Sequence, residues 1–251
     1  DRFRGRLERS LERVLEDRSV MRYRHLFFDL DHTLWDFRTN SRATLEELHA
    51  ELELASHGLP DKSEFIAAYE EINAALWAQY AVNGMDKEVL RVLRFRNTIL
   101  QFGVKNDKLV RTMSHLYIER CPQRTALMPG ALEVLEHLQG KCTLHIITNG
   151  FQETQHIKLK SSGLVSYFDC IVTSEKAGAR KPEPRIFQYA LNKARAAASE
   201  SAMIGDDVKA DIHGARSAGM DQLLFDPDDK HVGVESTNRL RRLNELIPLL
   251  A

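Results

Sequence analysis

The sequence predicts an α/β protein: a doubly wound, Rossmann-like parallel sheet with an inserted all-helical cap domain. Three observations carry this expectation. Short apolar runs recur at His25 to Leu30, Leu144 to Thr148, Cys170 to Thr173, Ala202 to Gly205 and Gln222 to Phe225. They are apolar at consecutive positions, as strands covered on both faces are. Helical patterns lie between and after the later runs, at Gln152 to Ser162, Arg185 to Ala197, Val208 to Ala218 and Asn238 to Leu249, and such alternation implies a parallel sheet. Between residues 37 and 125 the alternation stops, for far longer than an ordinary α/β connection runs.

The elements follow in order. Residues 1–20 form a predicted N-terminal helical extension, with Leu7, Leu11, Val14 and Leu15 at helical spacing among Arg and Glu residues. Its acids argue against a transit peptide, and Met21, directly before the first strand, is the expected natural start. The core is expected over 21–36 and 126–251 and the cap over 37–125. Four helices are predicted in the cap, Ser41 to Leu54, Lys62 to Ala81, Lys87 to Phe102 and Asp107 to Arg120. Gly58-Leu-Pro60, Asn83-Gly84 and Gly103 act as their stops.

Bulk properties narrow the function. A net charge of -1 gives no reason to expect a polyanion-binding surface, so no nucleic acid polymer is expected as partner. No apolar run approaches the length that crosses a bilayer. Cys121, Cys142 and Cys170 make an odd count without C-x-x-C spacing, which suits a reducing cytoplasm. Monomer and homodimer stay open.

Four polar elements each follow an apolar strand, where open α/β sheets gather their ligands. The first is Asp29-Leu-Asp-His-Thr33. Carboxylates placed there by a buried strand need a cation, and a divalent metal facing a phosphate is a common answer. Asp29 is the candidate nucleophile, able to form an aspartyl-phosphate. Asp31 fits the general acid/base, and a pKa pushed upward by its acidic neighbour is expected of it. Thr33 is expected to hold the turn. The second element is Thr148-Asn149-Gly150, a hydroxyl and backbone N–H groups at a strand-to-helix turn, suited to a phosphate oxygen. Lys181, in Arg180-Lys-Pro-Glu-Pro184, is placed to neutralise phosphate charge. The fourth is Gly205-Asp206-Asp207 with Asp211 beyond. Asp206 is the second expected carboxylate for Mg²⁺, with Asp29 and the Asp31 backbone carbonyl completing the protein ligands. Asp211 is expected to orient Lys181 or a metal-bound water.

These elements, in this order, resemble the haloacid dehalogenase (HAD) superfamily over residues 25–226. The resemblance implies Asp29 as nucleophile, Asp31 as acid/base, Thr148 and Lys181 on the phosphate and Asp206 on the metal. It also implies that the Asp29 strand lies between the Thr148 and Asp206 strands. Within the superfamily, Asp29 to Trp35, Thr148 to Phe151, Gly178 to Phe187, Leu76-Trp-Ala-Gln-Tyr80 and Arg94-Phe95 look like the YjjG-type pyrimidine nucleotidases. That implies a small phosphorylated substrate, a pyrimidine nucleoside monophosphate, and Mg²⁺ as cofactor. His32 departs from the glycine or acid that most relatives carry. A phosphosugar or phosphoglycolate phosphatase is the alternative, because the core motifs do not separate the two. The dehalogenases need neither Asp31 nor Asp206. A binding protein that kept the fold would have lost an acid. Trp77, Tyr80 and Arg94 either face a nucleobase or pack the cap interior; their spacing allows both.

Overall fold

The computed structural model describes residues 22–250; the expected helical extension over 1–20 and Met21 lie outside them. Six strands form one sheet: β1 His25–Phe28, β2 Thr143–Thr148, β3 Phe168–Thr173, β4 Ser201–Gly205, β5 Asp221–Phe225 and β6 Asn238–Leu240. Their order is β3-β2-β1-β4-β5-β6, with every pairing parallel. β1 is central, with Phe28 opposite Ile146 on one side and Ile204 on the other. The order reverses at β1, so the crevice where ligands collect in such sheets opens beyond its carboxyl end.

Two compact units make up the described residues. The α/β unit runs up to Asp36 and resumes at Leu127; the helical unit runs from Phe37 to Ala126. In the α/β unit, Phe27, Ile147, Cys170, Val172 and Met203 on one face of the sheet pack with Ile186, Phe187, Ala190 and Leu191. The last four belong to the helix Pro184–Ala194. Burying a Phe or Ile of this kind contributes about 1.5–3 kcal/mol, which offsets the cost of carrying charged groups to the sheet's carboxyl edge.

The helical unit contains α1 Phe37–Glu51, α2 Lys62–Asn83, α3 Lys87–Gln101 and α4 Asp107–Arg120. Asp61, Asp86 and Asn106 accept hydrogen bonds from the first-turn N–H groups of α2, α3 and α4, which fixes those starts. Gly58, Gly84 and Gly103 have positive φ just past helical segments, as the stop signals require. Tyr69, Phe95 and Tyr117 meet at ring-centroid distances of 5.0–5.6 Å and form the unit's aromatic centre.

Three differences from the sequence reading bear most on the fold. α1 begins at Phe37 and not at Ser41, because Asn40 and Ser41 are buried polar residues. Asn40 uses both ends of its amide on the backbone of Ala126. A helix over Ala131–Leu138, α5, was not expected at all. The helix expected from Asn238 to Leu249 is instead β6, a turn at Leu243–Glu245 and the short helix Leu246–Leu250. Leu240, Leu243, Leu246 and Leu250 mimic a helical face, but Pro248 inside a continuous helix would clash with the carbonyl four residues before it. Splitting the segment leaves Pro248 in a first turn and lets Arg239 and Leu240 pair with β5.

Candidate active site

The site forms where β1, β2 and β4 end. β1 runs directly into Asp29, whose N–H donates to the Ile204 carbonyl at 2.8 Å, so the neighbouring strand fixes the carboxylate's origin. Asp29 is 8% exposed. Lys181 Nζ donates to Asp29 Oδ1 and to Asp211 Oδ1, both at 2.6 Å, and is itself 3% exposed. Burial works against the lysine's charge, but Asp211 and Asp29 outweigh it and hold the ammonium protonated well above its usual range. Asn149 aims Lys181: its side-chain amide donates to the Lys181 carbonyl at 3.0 Å and accepts from the Lys181 N–H at 2.8 Å. The Asn149 side chain, expected among the phosphate ligands, is thus engaged in positioning the lysine.

Asp206 follows β4, and Thr33 Oγ1 donates to its Oδ1 at 3.1 Å; Thr33 supports a carboxylate as well as the turn. Asp211 reaches the site through a tight approach. A Cβ on Gly205 would lie 2.1 Å from Asp211 Oδ2, so only glycine fits there. The Asp211 carboxylate also accepts from the Asp207 N–H at 3.1 Å. The expected helix Val208 to Ala218 begins with a π-helical stretch, Val208–His213, before regular turns at Gly214–Ser217. Asp207 caps it by accepting from the Ala210 N–H at 2.7 Å.

Asp29, Asp206 and Asp211 each place a carboxylate oxygen within 4.8 Å of the others. Three carboxylates face one ammonium, two formal negative charges in excess. Burial first, then the charge of Asp29, pushes Asp206 up to about 7. Burial likewise raises Asp29 against the pull of Lys181, and raises Asp211 well above the carboxylate range. Crowded oxygen donors with uncompensated charge are the donor set of a hard divalent cation. The residues present fit Mg²⁺, which Asp29 and Asp206 would hold.

Asp31 is the correction to the sequence reading. An upward shift was expected; the opposite holds. Burial pushes its carboxyl up, but the charge and hydrogen bond of Lys158, together with Gln155, outweigh burial and hold it below the ordinary value. Lys158 Nζ donates to Asp31 Oδ1 at 2.5 Å, and Gln155 Nε2 to Asp31 Oδ2 at 2.8 Å. Lys158 also lies over the buried Trp35 ring, 4.4 Å from its centroid. Neither Gln155 nor Lys158 was singled out from the sequence. Both are buried on α6, Gln152–Ser161, which leaves the Thr148 turn. Their signal was two polar residues three apart, one face of a helix that starts at the site.

Gln155 also sets Thr148. Its Nε2 donates to Thr148 Oγ1 at 2.7 Å, and the Gly150 N–H donates to the same oxygen at 3.1 Å. With both lone pairs engaged, the threonine hydroxyl has its proton left to donate, as an anion site needs. His32 takes φ 65 in the turn between Asp31 and Thr33. That left-handed conformation is natural for glycine and costs other residues of order 1 kcal/mol.

In the helical unit, Arg94 is 7% exposed, and its guanidinium lies 4.5 Å from the Tyr117 ring centroid and 5.4 Å from that of Phe95. Trp77 meets Tyr80 edge to face at 5.4 Å. Arg94 therefore packs in the aromatic centre of its own unit, whereas Trp77 is only half-buried.

A strand-end carboxylate met by a lysine and by a second strand's acid points to a hydrolase, and the known relatives of this chain point the same way. The family model of the haloacid dehalogenase-like hydrolases matches residues 23–219. The chain belongs to this family. It is 32% identical to the HAD-hydrolase YfnB of Bacillus subtilis over 92% of this chain and 97% of that protein. It is 30% identical to the pyrimidine 5'-nucleotidase YjjG of Escherichia coli over 92% and 99%. With the pyrimidine 5'-nucleotidase PynA of Streptococcus pneumoniae it shares 29% over 92% and 96%. The structure superposes on that of magnesium-bound YfnB with a TM-score of 0.82, covering 91% of this chain and 99% of YfnB at 30% identity.

Proposed function

We propose that this phosphomonoester hydrolase removes phosphate from pyrimidine nucleoside 5'-monophosphates through an aspartyl-phosphate on Asp29, with Mg²⁺ as cofactor. The observation that carries the chemistry is the buried Asp29 carboxylate, held by Lys181 and crowded by Asp206. In the first step an Asp29 oxygen attacks phosphorus, the bond from phosphorus to the ester oxygen breaks, and Asp31 gives its proton to the leaving alkoxide. In the second, Asp31 takes a proton from water as that water attacks phosphorus and releases Asp29. Thr148 and Lys181 hold the phosphate oxygens. Asp29, Asp206 and the Asp31 carbonyl would hold Mg²⁺, which would supply charge neutralisation.

The depressed pKa of Asp31 leaves it ionised for the second step, where it acts as a base. For the first step it must be protonated, and an arriving phosphate moves it in that direction, since a like charge disfavours the carboxylate. Gln155 and Lys158 hold the group so that one carboxyl serves both steps. Support for the nucleotide comes from YjjG and PynA, pyrimidine nucleotidases alike over nearly the whole chain. In this reading residues 37–125 act as a cap, and Trp77 and Tyr80 contribute to base selection.

A phosphate-release screen over nucleoside monophosphates and phosphosugars tests the assignment. Pyrimidine 5'-monophosphates are expected to lead, with activity lost to EDTA and restored by Mg²⁺; a phosphosugar at the head would overturn the substrate. Asp29→Asn is expected to reduce turnover to background while keeping the fold, and Mg²⁺-dependent turnover surviving there removes Asp29 as nucleophile. Trp77→Ala is expected to raise KM for nucleotides about tenfold, the magnitude of one lost base stack, and to spare p-nitrophenyl phosphate. Equal effects on both substrates reassign Trp77 to packing.

A further inference from the structure

A second cluster lies along β1, β2 and β3, on the face that carries Phe27 and Ile147. His145 is fully buried within β2. Its Nδ1 is 3.1 Å from Cys170 Sγ and 3.9 Å from Asp169 Oδ2, and its Nε2 is 3.1 Å from His25 Nδ1. Successive residues of a strand normally point to opposite faces. Here the pairing of β2 with β3 shifts between Leu144 and His145: Leu144 opposes Phe168, His145 opposes Cys170, and Asp169 is the extra residue. A bulge of this kind re-aims a side chain, and it brings Asp169 and Cys170, adjacent in sequence, to one imidazole nitrogen. We propose that His145 Nδ1, Cys170 Sγ and Asp169 Oδ2 form a second metal site, for a borderline transition-metal ion such as Zn²⁺.

The chemistry differs from that of the catalytic carboxylates. Imidazole with thiolate selects zinc and its neighbours, where all-oxygen sets select magnesium. A tetrahedral ion with metal–sulfur and metal–nitrogen bonds of about 2.3 and 2.0 Å would separate these ligands by roughly 3.4–3.6 Å. The observed 3.1 and 3.9 Å therefore need adjustments of about half an ångström. His25 sits where the outer partner of a metal-binding histidine belongs: a hydrogen bond from His145 Nε2–H leaves Nδ1 with its lone pair. Burial keeps the imidazole neutral, pushing its pKa down to about 4, and pushes the Cys170 thiol up to about 11. Without metal the trio is thus a thiol donating to a neutral imidazole. Binding breaks the S–H bond, releases one proton to solvent and forms the metal–sulfur bond. Asp169, whose side chain is 61% exposed, gives the ion its way in, and water takes the fourth position. The proposal is independent of the catalytic reading.

The test uses the full chain, stripped of metal and titrated with Co²⁺ in excess Mg²⁺. A near-ultraviolet thiolate-to-cobalt charge-transfer band is expected to saturate at one equivalent and to bleach with Zn²⁺. Cys121→Ser and Cys142→Ser should keep it; Cys170→Ser should lose it. Asp169→Asn, on the exposed rim, avoids any folding failure of buried variants and is expected to weaken Co²⁺ affinity by about tenfold or more. No band in the wild-type protein, a band that survives Cys170→Ser, or unchanged affinity in Asp169→Asn overturns the site.

Discussion

Lys158 decides what Asp31 can do. Its side chain is 5% exposed, with the ammonium over the Trp35 ring and donating to the carboxylate at 2.5 Å. It counters the burial that would otherwise raise the Asp31 pKa. Lys158→Met keeps much of the apolar stem and removes the charge, so the Asp31 pKa is expected to rise. If Asp31 is the base of the second step, the acidic limb of the kcat profile moves to higher pH. An unmoved limb would make Lys158 a packing residue only. Asp29, Asp31, Lys181 and Asp206 were legible in the sequence because each follows an apolar strand. Gln155 and Lys158 were not. They reach the site from inside a helix, where polar residues ordinarily face solvent, and only the fold shows that this face is buried. The sign of the Asp31 shift was misjudged for the same reason: the neighbouring acid was visible and the helical lysine was not.

At the scale of elements, strands and caps were more legible than the carboxyl-terminal segment. Asp61, Asp86 and Asn106 sit at helix starts, and a cap signal is local, readable within four residues. β6 is held by contacts far along the chain. Its anchor is Asp226, 3% exposed at the end of β5, which accepts from the Lys230 and His231 N–H groups and from Arg239 Nε, each at 2.9 Å. Burial pushes this carboxyl up, but the His231, Lys230 and Arg239 hydrogen bonds outweigh it and leave the pKa below the ordinary value. The sign follows. The folded state binds the proton less tightly than the unfolded chain, so the stabilisation is present above the unfolded carboxylate pKa of about 3.9 and disappears as pH falls through the folded value. Asp226→Asn keeps the shape and loses the charge-assisted bonds. It is expected to cost about 1.5–3 kcal/mol near neutral pH and to flatten the acid side of the stability curve. Urea unfolding at several pH values measures both. An unchanged curve would show that β6 docks through Leu240 alone.

For the whole molecule, the site conflicts with the fold that carries it. Asp206 has a pKa raised to about 7, so between the unfolded value near 3.9 and about 7 the folded state binds more protons than the unfolded chain. Metal-free stability must then fall as pH rises through that window. The excess negative charge is a cost that function imposes, as strained or crowded active sites commonly do. Mg²⁺ binding to the folded state is expected to reverse it: at a hundred times the dissociation constant the gain would be about 2.7 kcal/mol. For a domain of this size that corresponds to a rise in Tm of roughly 5–10 °C. Asp206→Asn separates the two effects. The amide can still accept from Thr33, no longer repels Asp29, and offers the ion a poorer ligand. At pH 8 without metal this variant is therefore expected to melt above the wild-type protein, while Mg²⁺ no longer moves its transition and phosphatase activity is lost. If the metal-free variant melts below the wild type, Asp206 stabilises the fold outright, and the crowded carboxylates are not the reason the site needs a cation.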